Sequence, residues 1–193
     1  MTTTTNFVDR TIRCFDALDV SEMPLGRTSR AVIEMGHDGL GRAERGPIIV
    51  VRGTKPGPVF GVTCALHGNE LNGIPVVHRL TQTLDPKTLR GTVVACPVLN
   101  IGGYLGNLRE FRDGTDLNHL MPGVATGNES QVFAYRLFER LVSRFDVLVD
   151  LHTASFGRVN SLYVRADMSD PVTARMAYLH RPRIIPHNTP AAH

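Results

Sequence analysis

The chain has 193 residues, 42% apolar, 20% charged and 6% aromatic, with a formal net charge of +3. That balance supplies one sizeable core and excludes a disordered chain, which combines low hydrophobicity with high net charge. No apolar stretch approaches the ~20 residues a bilayer span needs, and the first residues lack the basic and apolar regions of a secretory signal. The expected location is therefore the cytoplasm, without membrane association. The basic character is almost wholly arginine, since only Lys55 and Lys87 are lysines. The arginines are scattered from Arg10 to Arg183 and form no stripe, which argues against nucleic-acid binding. Cys14, Cys64 and Cys96 are odd in number, lack CxxC spacing and read as reduced thiols.

In chain order, residues 1–45 read as a loosely structured lead-in with one short strand, Ala31 to Met35, followed by the turn Gly36-His37-Asp38-Gly39. Three β-branched apolar runs follow, Pro47 to Val51, Pro58 to Leu66 and Thr92 to Leu99, and read as strands buried on both faces. Between the second and third, Glu70 to Leu84 carries apolar residues at helical spacing. Asn100 to Asn128 loses periodicity and fills with Gly, Asp, Asn and Arg; loops of that length inside a domain tend to be functional. Ser130 to Arg144 predicts a helix, Val147 to Leu151 a strand and Asp170 to Leu179 a short helix. This alternation predicts an α/β fold with a mostly parallel mixed sheet flanked by helices, the domain running over residues 46–193.

The segment Ala65-Leu66-His67-Gly68-Asn69-Glu70 ends an apolar strand in a histidine and opens a helix with a glutamate three positions on. A second strand ends at Asp150-Leu151-His152. Ligands of open α/β sheets bind where strands end. His67, Glu70 and His152 thus form a His₂Glu set for one Zn²⁺ with an open position, the ligand class of catalytic zinc. Such a set also accepts other divalent ions. By period two, Asp150 shares a face with His152, where it either supports the site or simply ends the strand as a polar residue.

Three motifs in this order, His67-Gly68-Asn69-Glu70, Arg109 through Asn118, and Asp150-Leu151-His152-Thr153, resemble the succinylglutamate desuccinylase/aspartoacylase family of zinc carboxypeptidase-like hydrolases. The resemblance covers roughly residues 45–190. It implies that His67, Glu70 and His152 hold the zinc and that Asp116 hydrogen-bonds the far nitrogen of His67. It also implies that Arg109 polarises the scissile carbonyl, with Arg112 as runner-up, and that Asn118 binds the substrate carboxylate. The implied activity is hydrolysis of the amide of a small N-acylated amino acid or related amine by a metal-activated water. A zinc carboxypeptidase acting on peptides and a non-catalytic zinc-binding fragment are the alternatives.

Two features depart from the family pattern. His119 stands where the family continues with Arg, and an imidazole lacks the bidentate fork of a guanidinium. After His152 the sequence holds Asp167 and Asp170 but no Glu, whereas the family carries its catalytic Glu on a later strand. The domain is accordingly expected to be incomplete at its C-terminus, missing strands and impaired in catalysis, with an unpaired sheet edge that favours homo-oligomers.

Overall fold

A computed structural model describes residues 3–7, 10–155 and 157–188, with side chains from Ile12 onward. The end of the expected 46–193 domain, residues 189–193, lies outside the described residues. The chain divides into two compact units, residues 1–156 and 157–193. Among the described residues no helix is long and apolar enough to cross a membrane.

The first unit is built on a mixed sheet of seven strands: β1 (Thr3–Phe7), β2 (Arg10–Phe15), β3 (Arg27–His37), β4 (Ala43–Arg52), β5 (Lys55–Cys64), β6 (Arg90–Cys96) and β7 (Val147–Leu151). Their order across the sheet is β1-β2-β3-β4-β6-β5-β7. The residues expected to be a loose lead-in thus contribute three strands. The reason is visible in β3, where Ala31, Ile33 and Met35 are buried at alternate positions, the period of a half-buried strand.

The parallel character is narrower than the sequence suggests. β5 runs parallel to both β6 and β7, and β2 is parallel to β3, while β3/β4, β4/β6 and β1/β2 are antiparallel. Connection length decides this. β3 and β4 are joined by a tight turn in which Asp38 Oδ1 accepts from the Leu40 and Arg42 N–H groups, and so short a link permits only antiparallel pairing. β5 reaches β6 through a helix, which permits a parallel return.

Helix α1 (Gly73–Thr83) covers one face of the sheet and α3 (Glu129–Arg140) packs on the other. β4 shows how both faces are filled: Ile48 and Val50 pack with Phe133, Leu137 and Leu141, whereas Ile49 and Val51 pack with Val77. The N-terminus of α3 is closed by a capping box, Asn128 accepting from the Gln131 N–H while the Gln131 side chain accepts from the Asn128 N–H. The expected long loop holds the short helix α2 (Ile101–Gly106) and a 3-10 turn at Leu117–His119, and is pinned to the core by buried Phe111 and Leu117. β5 has β6 on one side and β7 on the other, so chain progression reverses there. That switch point is where α/β sheets open a crevice at the strand C-termini.

In the second unit, α4 (Pro171–Leu179) starts with Pro at its first position, and Asp170 accepts from the Thr173 N–H. Two parallel bridges, Tyr163 with Ile184 and Ala166 with His187, tie its extended segments together.

Candidate metal centre

β5 and β7 end side by side, with Cys64 paired to Leu151. His152 follows Leu151 directly. On the β5 side the chain turns through Ala65, whose φ of 52° lies in the left-handed region, and delivers His67 to the same edge. A buried non-glycine residue in that conformation carries a steric cost that the surrounding structure must hold in place. Here the Leu99 and Asn100 N–H groups hold it, donating to the carbonyls of Cys64 and Ala65. Gly68 then passes so close to α2 that a Cβ on it would lie 2.0 Å from the Gly103 carbonyl carbon. The Glu70 N–H donates to the His67 carbonyl, closing the turn that returns Glu70 to the histidine.

The three residues converge. His67 Nδ1 lies 3.0 Å from Glu70 Oε1, His152 Nδ1 lies 3.1 Å from Glu70 Oε2, and the two Nδ1 atoms are 3.1 Å apart. His67 and Glu70 are only 2% and 3% exposed, whereas the His152 and Arg109 side chains are each 32% exposed, so the cluster is walled on one side and open on the other. Behind each imidazole stands a carboxylate: Asp116 Oδ1 is 3.0 Å from His67 Nε2 and Asp150 Oδ2 is 2.7 Å from His152 Nε2. An Nε2–H donated to a carboxylate leaves Nδ1 as the ligating lone pair, which is how such partners fix a histidine ligand.

The electrostatics are unusual for so small a volume. Burial pushes the Glu70 carboxyl up, but hydrogen bonds with His152 and His67 and from the Thr153 N–H outweigh it and hold the group well below the ordinary carboxylate range. Asp150 and then Glu70 raise His152 to about 10. Asp116 is lowered, its burial being outweighed by the His67 hydrogen bond, the Asn118 N–H and the nearby Arg109 charge.

This geometry fits a divalent cation. The two Nδ1 atoms are 3.1 Å apart, and each faces a different oxygen of the Glu70 carboxylate, His67 Nδ1 facing Oε1 at 3.0 Å and His152 Nδ1 facing Oε2 at 3.1 Å. Tetrahedral ligands about 2.0–2.1 Å from zinc are separated by roughly 3.3 Å. An ion bound here would displace the His152 proton; with both imidazoles neutral, the carboxylates Glu70, Asp116 and Asp150 outweigh the Arg109 charge by two, which a dication balances. Among the described residues, His67, Glu70 and His152 form a group whose ligand atoms, one from each, lie within 4.8 Å of one another.

The remaining expected site residues separate into two sets. Arg109 reaches the cluster: its Nη1 donates to Glu70 Oε1 at 2.7 Å and its Nη2 to Asp116 Oδ2 at 3.3 Å. Asp116 and Asp150 stand behind the histidines as described. Asn118 and His119 are exposed, and Asn118 takes part through its backbone N–H, which donates to Asp116 Oδ1 at 2.9 Å. Arg112 does not join the cluster. It makes a bidentate pair with Glu44 at 2.7 and 3.0 Å, meets Glu129 at 2.7 Å and lies over the Phe111 ring. Its three residues of separation from Arg109 point it to the α3 side of the loop, where two glutamates hold its charge.

Sequence reasoning missed two contributors. Thr63 Oγ1 donates to Asp150 Oδ1 at 2.6 Å, and Ser155 Oγ lies 3.1 Å from both Glu70 Oε1 and Arg109 Nη1. For Thr63 the signal was available, since a polar residue in the buried run Val62-Thr63-Cys64 needs a partner. For Ser155 there was none, because its position depends on how the loop after β7 turns.

The model of the succinylglutamate desuccinylase/aspartoacylase catalytic domain matches residues 56–191. An N-alpha-acetyl-L-2,4-diaminobutyric acid deacetylase from Halomonas elongata is 31% identical over 108 residues, which is 55% of this chain and 31% of that protein. The crystal structure of a succinylglutamate desuccinylase/aspartoacylase from Rhodobacter sphaeroides superposes with a TM-score of 0.67 at 26% identity, covering 82% of this chain and 49% of the other. An aspartoacylase family protein from Mesorhizobium loti has the same fold, with a TM-score of 0.71 at 22% identity, covering 87% and 54%. The chain thus spans about half the length of these solved relatives. Because the family match extends over well more than half of the residues, this chain belongs to the succinylglutamate desuccinylase/aspartoacylase family.

Proposed function

We propose that these residues form the metal-binding half of a zinc-dependent deacylase that cleaves the amide bond of a small N-acylated amino acid or related amine. The observation that carries this reading is the facing of His67 Nδ1, His152 Nδ1 and the Glu70 carboxylate, each histidine backed by its own carboxylate. His67, Glu70 and His152 would hold the ion. When bound, it supplies Lewis acidity toward a carbonyl and acidifies a water.

The chain's own residues do the rest. Asp116 and Asp150 hold the imidazoles in the tautomer that presents Nδ1. Arg109, on the open side of the cluster, is the group placed to meet negative charge developing on a carbonyl oxygen; removing one such donor costs on the order of 10² to 10³ in rate. Amide hydrolysis also needs a group to carry a proton from the water to the leaving amine. The deacetylase and desuccinylase relatives support an acylated amino acid as the substrate class.

The test is metal content after dialysis against Zn²⁺, comparing wild type with His67→Ala and His152→Ala. One ion per chain in the wild type and loss in both variants is the expected result. A wild type without a stoichiometric ion would overturn the reading.

A further inference from the structure

The loop leaving β7 does more than present His152. Its Thr153 N–H donates to Glu70 Oε2 at 2.8 Å, and the Ser155 hydroxyl lies 3.1 Å from Glu70 Oε1. One short segment therefore grips both oxygens of the carboxylate, which otherwise turns easily, because the terminal torsion of a glutamate has only broad, shallow preferences. Ser155 Oγ also lies 3.1 Å from Arg109 Nη1, which donates to it while donating to Glu70 Oε1 at 2.7 Å. A hydroxyl is suited to this place because it gives one hydrogen and accepts others. It donates to the carboxylate and accepts from the guanidinium at once.

We propose that Ser155 is a positioning residue of this centre, its hydroxyl fixing the Glu70 carboxylate and the Arg109 guanidinium in one relative placement. The inference rests on the metal-centre reading and deepens it. Arg109 is a long, partly exposed side chain whose other anchors among the described residues are Asp116, whose Oδ2 accepts from its Nη2 at 3.3 Å, and Glu70 itself. Without the hydroxyl, Glu70 Oε1 loses a donor and Arg109 Nη1 an acceptor, and one direct hydrogen bond is left between the carboxylate and the guanidinium. The Oε1 side of the carboxylate is then held less firmly than the Oε2 side, which keeps the Thr153 N–H.

The experiment measures Zn²⁺ affinity by chelator competition and the visible spectrum of the Co²⁺-loaded protein. It compares wild type, Ser155→Ala, Ser155→Thr and the control Ser143→Ala, whose hydroxyl donates to the Glu139 carbonyl elsewhere on the surface. Ser155→Ala should bind Zn²⁺ about 10-fold more weakly, the usual scale for losing a partner of a ligand, and should shift the Co²⁺ bands. Ser155→Thr, which keeps the hydroxyl, should restore both, and Ser143→Ala should match wild type. If Ser155→Ala does not fold, Ser155→Cys, which retains the size but only weak hydrogen bonding, must show the same loss. Wild-type affinity and spectrum in a folded Ser155→Ala protein, or a folded Ser155→Thr that fails to restore them, overturns the role of Ser155 while leaving the metal centre standing. A wild type that takes up no Zn²⁺ overturns both.

Discussion

Asp150 Oδ2 stands 2.7 Å from His152 Nε2, and the other oxygen of the same carboxylate accepts from the Thr63 hydroxyl at 2.6 Å. The relay crosses from β5 to β7 and ends on a proposed ligand, so the sheet itself aims the imidazole. Replacing Asp150 with Ala should lower Zn²⁺ affinity about 10- to 100-fold with the fold retained. Thr63→Val removes a buried hydroxyl and leaves an Asp150 oxygen without its donor, which should cost about 1–2 kcal/mol of stability and a smaller share of affinity. Chelator competition and urea unfolding on both variants check this. An Asp150→Ala protein with unchanged affinity would show that His152 is oriented by other means.

Arg112 tests the opposite expectation. Its guanidinium is held by Glu44 and Glu129 between β4 and the start of α3, and it lies 4.8 Å over the Phe111 ring. Arg112→Ala should therefore weaken folding by about 1 kcal/mol, since partly exposed ion pairs contribute little each, and leave metal affinity at the wild-type value. Arg109→Ala should alter metal affinity, because its Nη1 donates to Glu70. A change in affinity for Arg112→Ala would mean that this arginine also serves the site.

What could be read from the sequence follows from how local each signal is. β4 and β6 were legible because both of their faces are buried, so Ile48 to Val51 or Val93 to Cys96 read as unbroken apolar runs; β7 was legible from the apolar run Val147-Leu148-Val149, although it ends the sheet half-buried with Leu148 exposed. His67 and Glu70 were legible because a turn of three residues carries its own spacing, and His152 because it ends a strand. β2 was not, because Arg13 interrupts it and its partner strand lies 18 residues further on, at Ala31 to Ile33. The roles of Arg109 and Arg112 were not separable either. Both are arginines in one polar loop, and only the packing of Phe111 between them, 2% exposed, decides which points to the cluster and which to α3. Ser155 lay beyond reach for the same reason, since its contacts are set by tertiary packing alone.

Gly68 should be intolerant of any side chain. A Cβ there would lie 2.0 Å from the Gly103 carbonyl carbon and 2.3 Å from the Tyr104 nitrogen, both backbone atoms that cannot swing aside. Gly68→Ala must therefore displace α2 or the His67–Glu70 turn. The expected result is a loss of about 3 kcal/mol, at the upper end for overpacking, with weakened Zn²⁺ binding. Gly102→Ala, with open space around the added methyl, is the matched control and should keep wild-type affinity. Thermal unfolding and metal competition on the pair would settle it, and a stable, metal-binding Gly68→Ala would contradict the contact.

The buried thiols predict a loss of stability in alkali. Burial raises Cys64 to about 12, with the Asp150 charge adding to the effect, and burial likewise raises Cys96 and Cys14. An unfolded cysteine titrates near 8.5. Below that pH both states hold the proton and the full stability is present. Above it the unfolded chain releases protons that the folded chain keeps, so stability falls as pH rises, by about 1.4 kcal/mol per pH unit for each thiol, until the folded pKa is reached. Urea unfolding at pH 7.5 and 9.5 should show this decline, and Cys64→Ala should reduce its slope. In the folded protein a thiol reagent at pH 8 should find almost no thiolate, whereas all three cysteines should react after unfolding. Rapid modification of Cys64 or Cys96 under native conditions would mean that the strands carrying them open far more readily than their burial implies.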